Sequence, residues 1–145
     1  MEKLIISACL YGTECKYCGG SNVLADDTLK KLKERYELFT VCPEVDGGLS
    51  TPRPPAERIG DKVINIEGRD VTEEYIRGAN LALEKAKAHG CKKALLKELS
   101  PSCGSGRIYD GTFSHTVIDG YGVTAELFRK NGIELFGEGR TDKLI

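Results

Sequence analysis

A chain of 145 residues with 40% apolar and 30% charged residues is long enough for one domain with a real core. Chains of this size bury roughly 70% of the surface they expose when unfolded. A net charge of −1, with no basic face of interleaved aromatics, gives no footprint for a nucleic-acid polymer. No apolar stretch approaches the ~20 residues of a membrane span. Met1-Glu2-Lys3 runs straight into an apolar run without the regions of an export signal, so the expected location is cytoplasmic.

Strand and helix patterns alternate along the chain. Leu4-Ile5-Ile6-Ser7-Ala8 reads as a buried strand that leads into Cys9 and a Gly-rich turn, Gly12 to Asn22. Asp26 is a candidate cap for a helix with Leu29, Leu32 and Tyr36 on one face. A second strand, Leu38 to Val41, leads into Cys42. An irregular loop from Pro43 to about Ile59 follows, holding four of the five prolines, and then a short extended piece, Lys62 to Glu67. Thr72 starts a second helix, with Glu73 and Glu74 where the helix dipole favours acids. Tyr75, Ala79, Ala82, Leu83 and Ala86 form its buried stripe, and Gly90 ends it. Lys93 to Lys97 is a third strand, Ser100 to Gly120 a second long loop, Val123 to Lys130 a third helix, and Ile133 to Phe136 a fourth strand. Gly137 to Ile145 reads as a tail. This alternation predicts an α/β domain over 1–145: a Rossmann-like, flavodoxin-like parallel sheet of about four strands, first strand central, flanked by helices. Both long loops follow strand C-termini, where open α/β sheets bind ligands.

Six cysteines without an export signal indicate metal or redox chemistry rather than a disulfide framework. Cys9, Cys42 and Cys103 all follow strands, so a parallel sheet would gather them on one edge. Soft thiolates select iron–sulfur clusters, zinc or copper(I), and three ligands leave a coordination position open. Cys15 and Cys18 form the only C-x-x-C, a second candidate for zinc or redox chemistry. Gly19-Gly20 argue against the helix start that a thioredoxin-type motif needs, and neither His89 nor His115 has finger spacing. Cys91, at a helix end, reads as a small buried hydrophobe.

Four short motifs in order carry a resemblance. They are Ser7-Ala8-Cys9-Leu10-x-Gly12; Cys42-Pro43-Glu44-Val45-x-Gly47-Gly48-Leu49 with Pro52-Arg53-Pro54; Ser100-Pro101-Ser102-Cys103-Gly104; and Ile108-Tyr109-Asp110-Gly111-x-Phe113. Together they resemble the family of thiouracil desulfidases, over about residues 4 to 137. The resemblance implies a Rossmann-like domain with an oxygen-labile [4Fe–4S] cluster on three cysteines, which match Cys9, Cys42 and Cys103. It implies a thiolated pyrimidine as substrate, bound through sulfur to the open iron, hydrolysed without redox change, with sulfide released. Glu44 matches the acid/base carboxylate and Ser100 the assisting hydroxyl. Aerobic purification is expected to leave the cluster absent or replaced by another metal. The resemblance implies the short form of the family, without the additional C-terminal domain of some relatives, and the chain has Tyr17-Cys18-Gly19 where Tyr-Asp-Gly is common.

From the residues alone, Glu44 is either a partly buried proton-handling group or a carboxylate capping nearby N–H groups. Ser100, extended because Pro101 follows, either orients substrate and water or closes an ordinary turn, with Ser102 as its competitor. Arg53 either anchors an anionic or carbonyl group or pairs with Glu57. Asp110 and His115 read as solvated loop residues, and the glycine pairs as turn geometry rather than a phosphate cradle. Two other functions fit the same residues: a non-catalytic metal or sulfur-handling module on the three cysteines, and a thiol–disulfide protein using Cys15 and Cys18.

Overall fold

The computed structural model describes all 145 residues, Met1–Ile145. Its elements run β1 (Glu2–Ser7), α1 (Ala8–Tyr11), α2 (Asp26–Arg35), β2 (Tyr36–Val41), α3 (Pro43–Asp46), β3 (Ala56–Ile59), β4 (Lys62–Asn65) and α4 (Thr72–Ala88). There follow β5 (Lys93–Leu96), β6 (Ser105–Tyr109), β7 (Val117–Tyr121), α5 (Val123–Lys130), β8 (Glu134–Gly137) and a 3₁₀ turn, Glu138–Lys143. β2, β1, β5 and β8 form one parallel sheet in that order, as expected, with β1 inside it.

β1 is apolar throughout because both its faces are covered. Leu4 and Ile6 join Leu32 of α2, Tyr36, Leu95, Phe136 and Leu144 in one cluster. Ile5, one step along and therefore on the other face, joins Ala82 and Ala86 of α4 with Ala125 and Phe128 of α5. Each large apolar side chain so buried contributes about 1.5–3 kcal/mol. Cys91 is buried in the second cluster as an apolar residue, as its position suggested.

Four expectations are corrected. Asp26 is the first helical residue of α2 rather than its cap, and no side chain caps that end. Tyr36 opens β2 instead of continuing the helix; its ring stays buried because its hydroxyl donates to the Leu144 carbonyl at 2.7 Å. The same bond explains why the C-terminal segment is not a loose tail: Leu144 is a core residue. The two long loops are largely structured. Pro43–Asp46 is a helical turn, β3 pairs with β4, and β6 pairs with β7, both as antiparallel hairpins. Both hairpins are inserted after strand C-termini, so the sheet's C-terminal edge does carry the elaborations.

Candidate active site

In the parallel sheet β1 and β2 end level, with Ser7 opposite Val41. Cys9 therefore lies on α1 just past one strand end, and Cys42 directly past its neighbour. Backbone geometry alone puts both thiols at the same edge. Cys42 opens α3, whose first helical residue is Pro43, so Glu44 lies in a helical first turn rather than an irregular loop. α3 is held against α4 by a close backbone approach. A Cβ on Gly78 would lie 1.8 Å from the Pro43 carbonyl oxygen, so only glycine fits there.

Cys103 reaches the edge differently. The loop after β5 passes through Leu99, at φ +66°, an uncommon conformation for a bulky residue and one found at constrained sites. Ser100 Oγ then accepts the N–H groups of Ser102 at 3.1 Å and Cys103 at 3.0 Å. The start of α5 fixes the same loop. Val123 N donates to Pro101 O at 2.9 Å, Thr124 N to Ser102 O at 2.8 Å, and Gly122 N to Gly104 O at 2.8 Å. Ser102, wholly buried, shares a 2.8 Å hydroxyl–hydroxyl bond with Thr124. That removes it as a competitor for substrate contact. Ser100 makes the turn, yet as an acceptor in both bonds it keeps its own hydroxyl proton to donate.

The three thiols share one environment. Cys103 feels the charges of Glu44, Cys9 and Cys42, and burial pushes its thiol up to about 12. Burial likewise raises Cys9, against a hydrogen bond from Asn22. Cys42 Sγ donates to the Cys15 carbonyl at 3.8 Å, and the neighbouring Cys15 thiol lowers Cys42 to about 7 while being itself pushed far up. The Ser7 hydroxyl, which accepts the Lys97 N–H at 3.0 Å, opposes the upward push on Cys103. Burial thus favours the neutral thiol at Cys9 and Cys103, while Cys42 is the one of the three most readily ionised.

The two thiols of the C-x-x-C stand in different surroundings. Cys15 is buried against Cys42, while Cys18 is exposed, and all six cysteines are free thiols. No three His, Cys, Asp or Glu side chains converge at the spacing of a single metal ion. A [4Fe–4S] cube makes no such demand, because each thiolate binds a different iron. Three cysteines, Cys9 and Cys103 buried and Cys42 half-buried, without further ligands are the donor set a cluster takes. The residues present therefore fit a cluster better than a mononuclear zinc.

Glu44, 20% exposed in its side chain, accepts a short hydrogen bond at Oε1 from Tyr75 Oη, with Arg53 Nε 3.6 Å from the same oxygen. Arg53 does not pair with Glu57. Glu57 turns instead to the backbone N–H groups of Gly111 (2.9 Å) and Phe113 (3.1 Å), which organises the β6–β7 turn. Asp110 closes that turn on Thr112, and His115 packs edge-on against Tyr109, so neither joins the cysteines. Tyr75 was visible in the sequence only as part of a helix stripe. A cavity of about 180 Å³ is lined by Arg53, Tyr75, Asn65, Arg69 and Glu74 but by none of the cysteines. Arg53 and Tyr75 line this cavity and also face Glu44.

The family model for 2-thiouracil desulfurase matches residues 4–140. The chain belongs to this family. The match takes in every motif named above. The uncharacterized protein YbbK of Bacillus subtilis (strain 168) is 41% identical over 152 residues, covering 98% of this chain and 99% of that protein. A solved structure of TudS, a [4Fe–4S]-dependent thiouracil desulfidase, is 49% identical with a TM-score of 0.95, covering 99% of this chain and 95% of that one. The Rossmann-like α/β architecture is thus shared over essentially the whole length. No helix of the chain is long and apolar enough to cross a membrane.

Proposed function

We propose that this chain is a single-domain, [4Fe–4S]-dependent desulfidase that removes sulfur from a thiolated pyrimidine such as 2-thiouracil, acting in the cytoplasm. One observation carries the reading: two buried thiols, one half-buried thiol and one half-buried carboxylate share a sheet edge in a chain 49% identical to such an enzyme. Cys9, Cys42 and Cys103 would hold the cluster. When bound, it supplies an open iron that acts as a Lewis acid toward the substrate sulfur.

The protein's own residues do the rest. Glu44 takes a proton from the water that attacks the thiocarbonyl carbon and returns it to the departing sulfur. Ser100 donates its free hydroxyl proton to the substrate or the attacking water. The carbon–sulfur bond is exchanged for carbon–oxygen, water supplies the oxygen and both protons, and no electrons change hands. Burial of Cys9 and Cys103 limits the access of bulk water on the sulfur side.

The test is anaerobic reconstitution with iron and sulfide, followed by sulfide release from 2-thiouracil. The wild-type chain should release sulfide and form uracil in equal amounts. Glu44→Ala should keep its cluster and lose activity by roughly 100-fold or more. A cluster-loaded wild-type chain that releases no sulfide would leave a metal or sulfur-handling module as the better reading.

A further inference from the structure

Two buried side chains converge on one oxygen of Glu44. Tyr75 Oη donates to Oε1, and Arg53 Nε faces the same atom from 3.6 Å, beyond hydrogen-bond range. Arg53 Nε is also the one buried side-chain polar atom in the molecule that lacks a partner. Native structures rarely leave such a donor empty without a reason.

The remainder of the guanidinium cannot move to fill the gap. Its Nη1 donates to Ser50 O at 3.2 Å and Thr51 Oγ1 at 3.1 Å, and its Nη2 to Cys15 O at 2.9 Å. Its backbone N–H donates to Tyr17 O at 2.7 Å. With a side chain only 4% exposed, Arg53 is a fixed wall whose Nε forms an ion pair with Glu44 at 3.6 Å. Glu44 Oε2 receives no hydrogen bond from the protein and is not among the buried orphans, so it faces open space.

We propose that Tyr75 and Arg53 are positioning residues that cradle Oε1 of Glu44 between them, leaving Oε2 as the oxygen presented to water and substrate. This rests on the reading of Glu44 as the proton-handling group. Neither donor competes for the proton in transit. Burial and the Glu44 charge hold the Tyr75 hydroxyl well above the ordinary phenol range, and arginine stays charged. Tyr75 comes from α4 and Arg53 from the proline-rich loop, so the carboxylate is referenced to both walls of the site.

Tyr75→Phe removes one donor and keeps the ring packing. In the reconstituted protein with 2-thiouracil, kcat should fall roughly 10- to 100-fold, the scale of a misplaced catalytic group. KM should change less than about 2-fold, the pattern of an interaction that matters in the transition state. Iron and acid-labile sulfide content should match wild type. In the cluster-free chain, the thermal midpoints of Tyr75→Phe, Glu44→Ala and the double variant should be non-additive, because both single changes remove the same bond. A kcat within about 2-fold of wild type, or additive midpoints, overturns the cradle. If the wild-type chain releases no sulfide, the reading of Glu44 fails instead. The midpoint cycle still decides whether the cradle exists.

Discussion

The two halves of the sheet edge deliver their sulfurs by different means. In the first, Cys9 and Cys42 follow directly from strands that end level, and Glu44 follows Cys42 on a helical turn seated on α4. In the second, Cys103 stands well beyond β5 on a loop bent through Leu99 and held by α5. A strand end carries a ligand by covalent geometry. A loop needs tertiary hydrogen bonds and a close backbone seat to do the same, so its sulfur depends on residues far along the chain.

Breaking the first half should have the largest effect. Gly78→Ala places a methyl 1.8 Å from the Pro43 carbonyl and drives α3 off α4. Urea denaturation of the cluster-free chain should show a loss of about 3 kcal/mol, at the upper end for overpacking. Iron uptake should fall with it, because Cys42 and Glu44 flank the displaced turn. Gly122→Ala breaks the second half. Its methyl would lie 2.3 Å from the Ser102 carbonyl carbon, and a loss of about 2 kcal/mol is expected because a loop relaxes more readily than a helix pair. Equal losses would erase the distinction between the halves.

A finer cut separates the bonds of the second half. Ser102→Ala leaves the buried Thr124 hydroxyl without its partner and should lower stability by about 1–2 kcal/mol in the same denaturation experiment. The smallest effect concerns the tie between halves. Arg58, on β3, donates to Glu126, on α5, and that bond holds the Glu126 carboxyl below its usual range. A depressed carboxyl contributes stability above its unfolded pKa, about 4.3, and loses it as pH falls through the lower folded value. The midpoint difference between wild type and Glu126→Gln should therefore be greatest above about pH 5 and shrink on acidification. A difference that grows on acidification would show that the ion pair is not its source.

This contrast also explains what the sequence made legible. β1, β2 and α5 were readable because continuous apolar runs and helical spacing report burial directly, so Cys9 and Cys42 could be placed from strand ends alone. The β6–β7 hairpin carries no strand signal in the sequence because its strands are glycine-containing; Gly106 pairs with Gly120 across the ladder, where side chains usually signal a strand. The tail was misread because a single apolar residue, Leu144, anchors it. Arg53 was assigned two outcomes, and the charge it faces proved to be Glu44 rather than the sequence-near Glu57. Nothing local marks Gly78 as a spacer or Tyr75 as a carboxylate partner. Both roles exist only because α3 lies on α4.

The most direct measurement is iron and acid-labile sulfide content after anaerobic reconstitution of six single Cys→Ser variants. Cys9→Ser, Cys42→Ser and Cys103→Ser should each lose the cluster and its absorbance near about 400 nm. Cys15→Ser, Cys18→Ser and Cys91→Ser should each keep it. A full cluster in Cys42→Ser, or its loss in Cys18→Ser, would contradict the assignment of the three edge thiols.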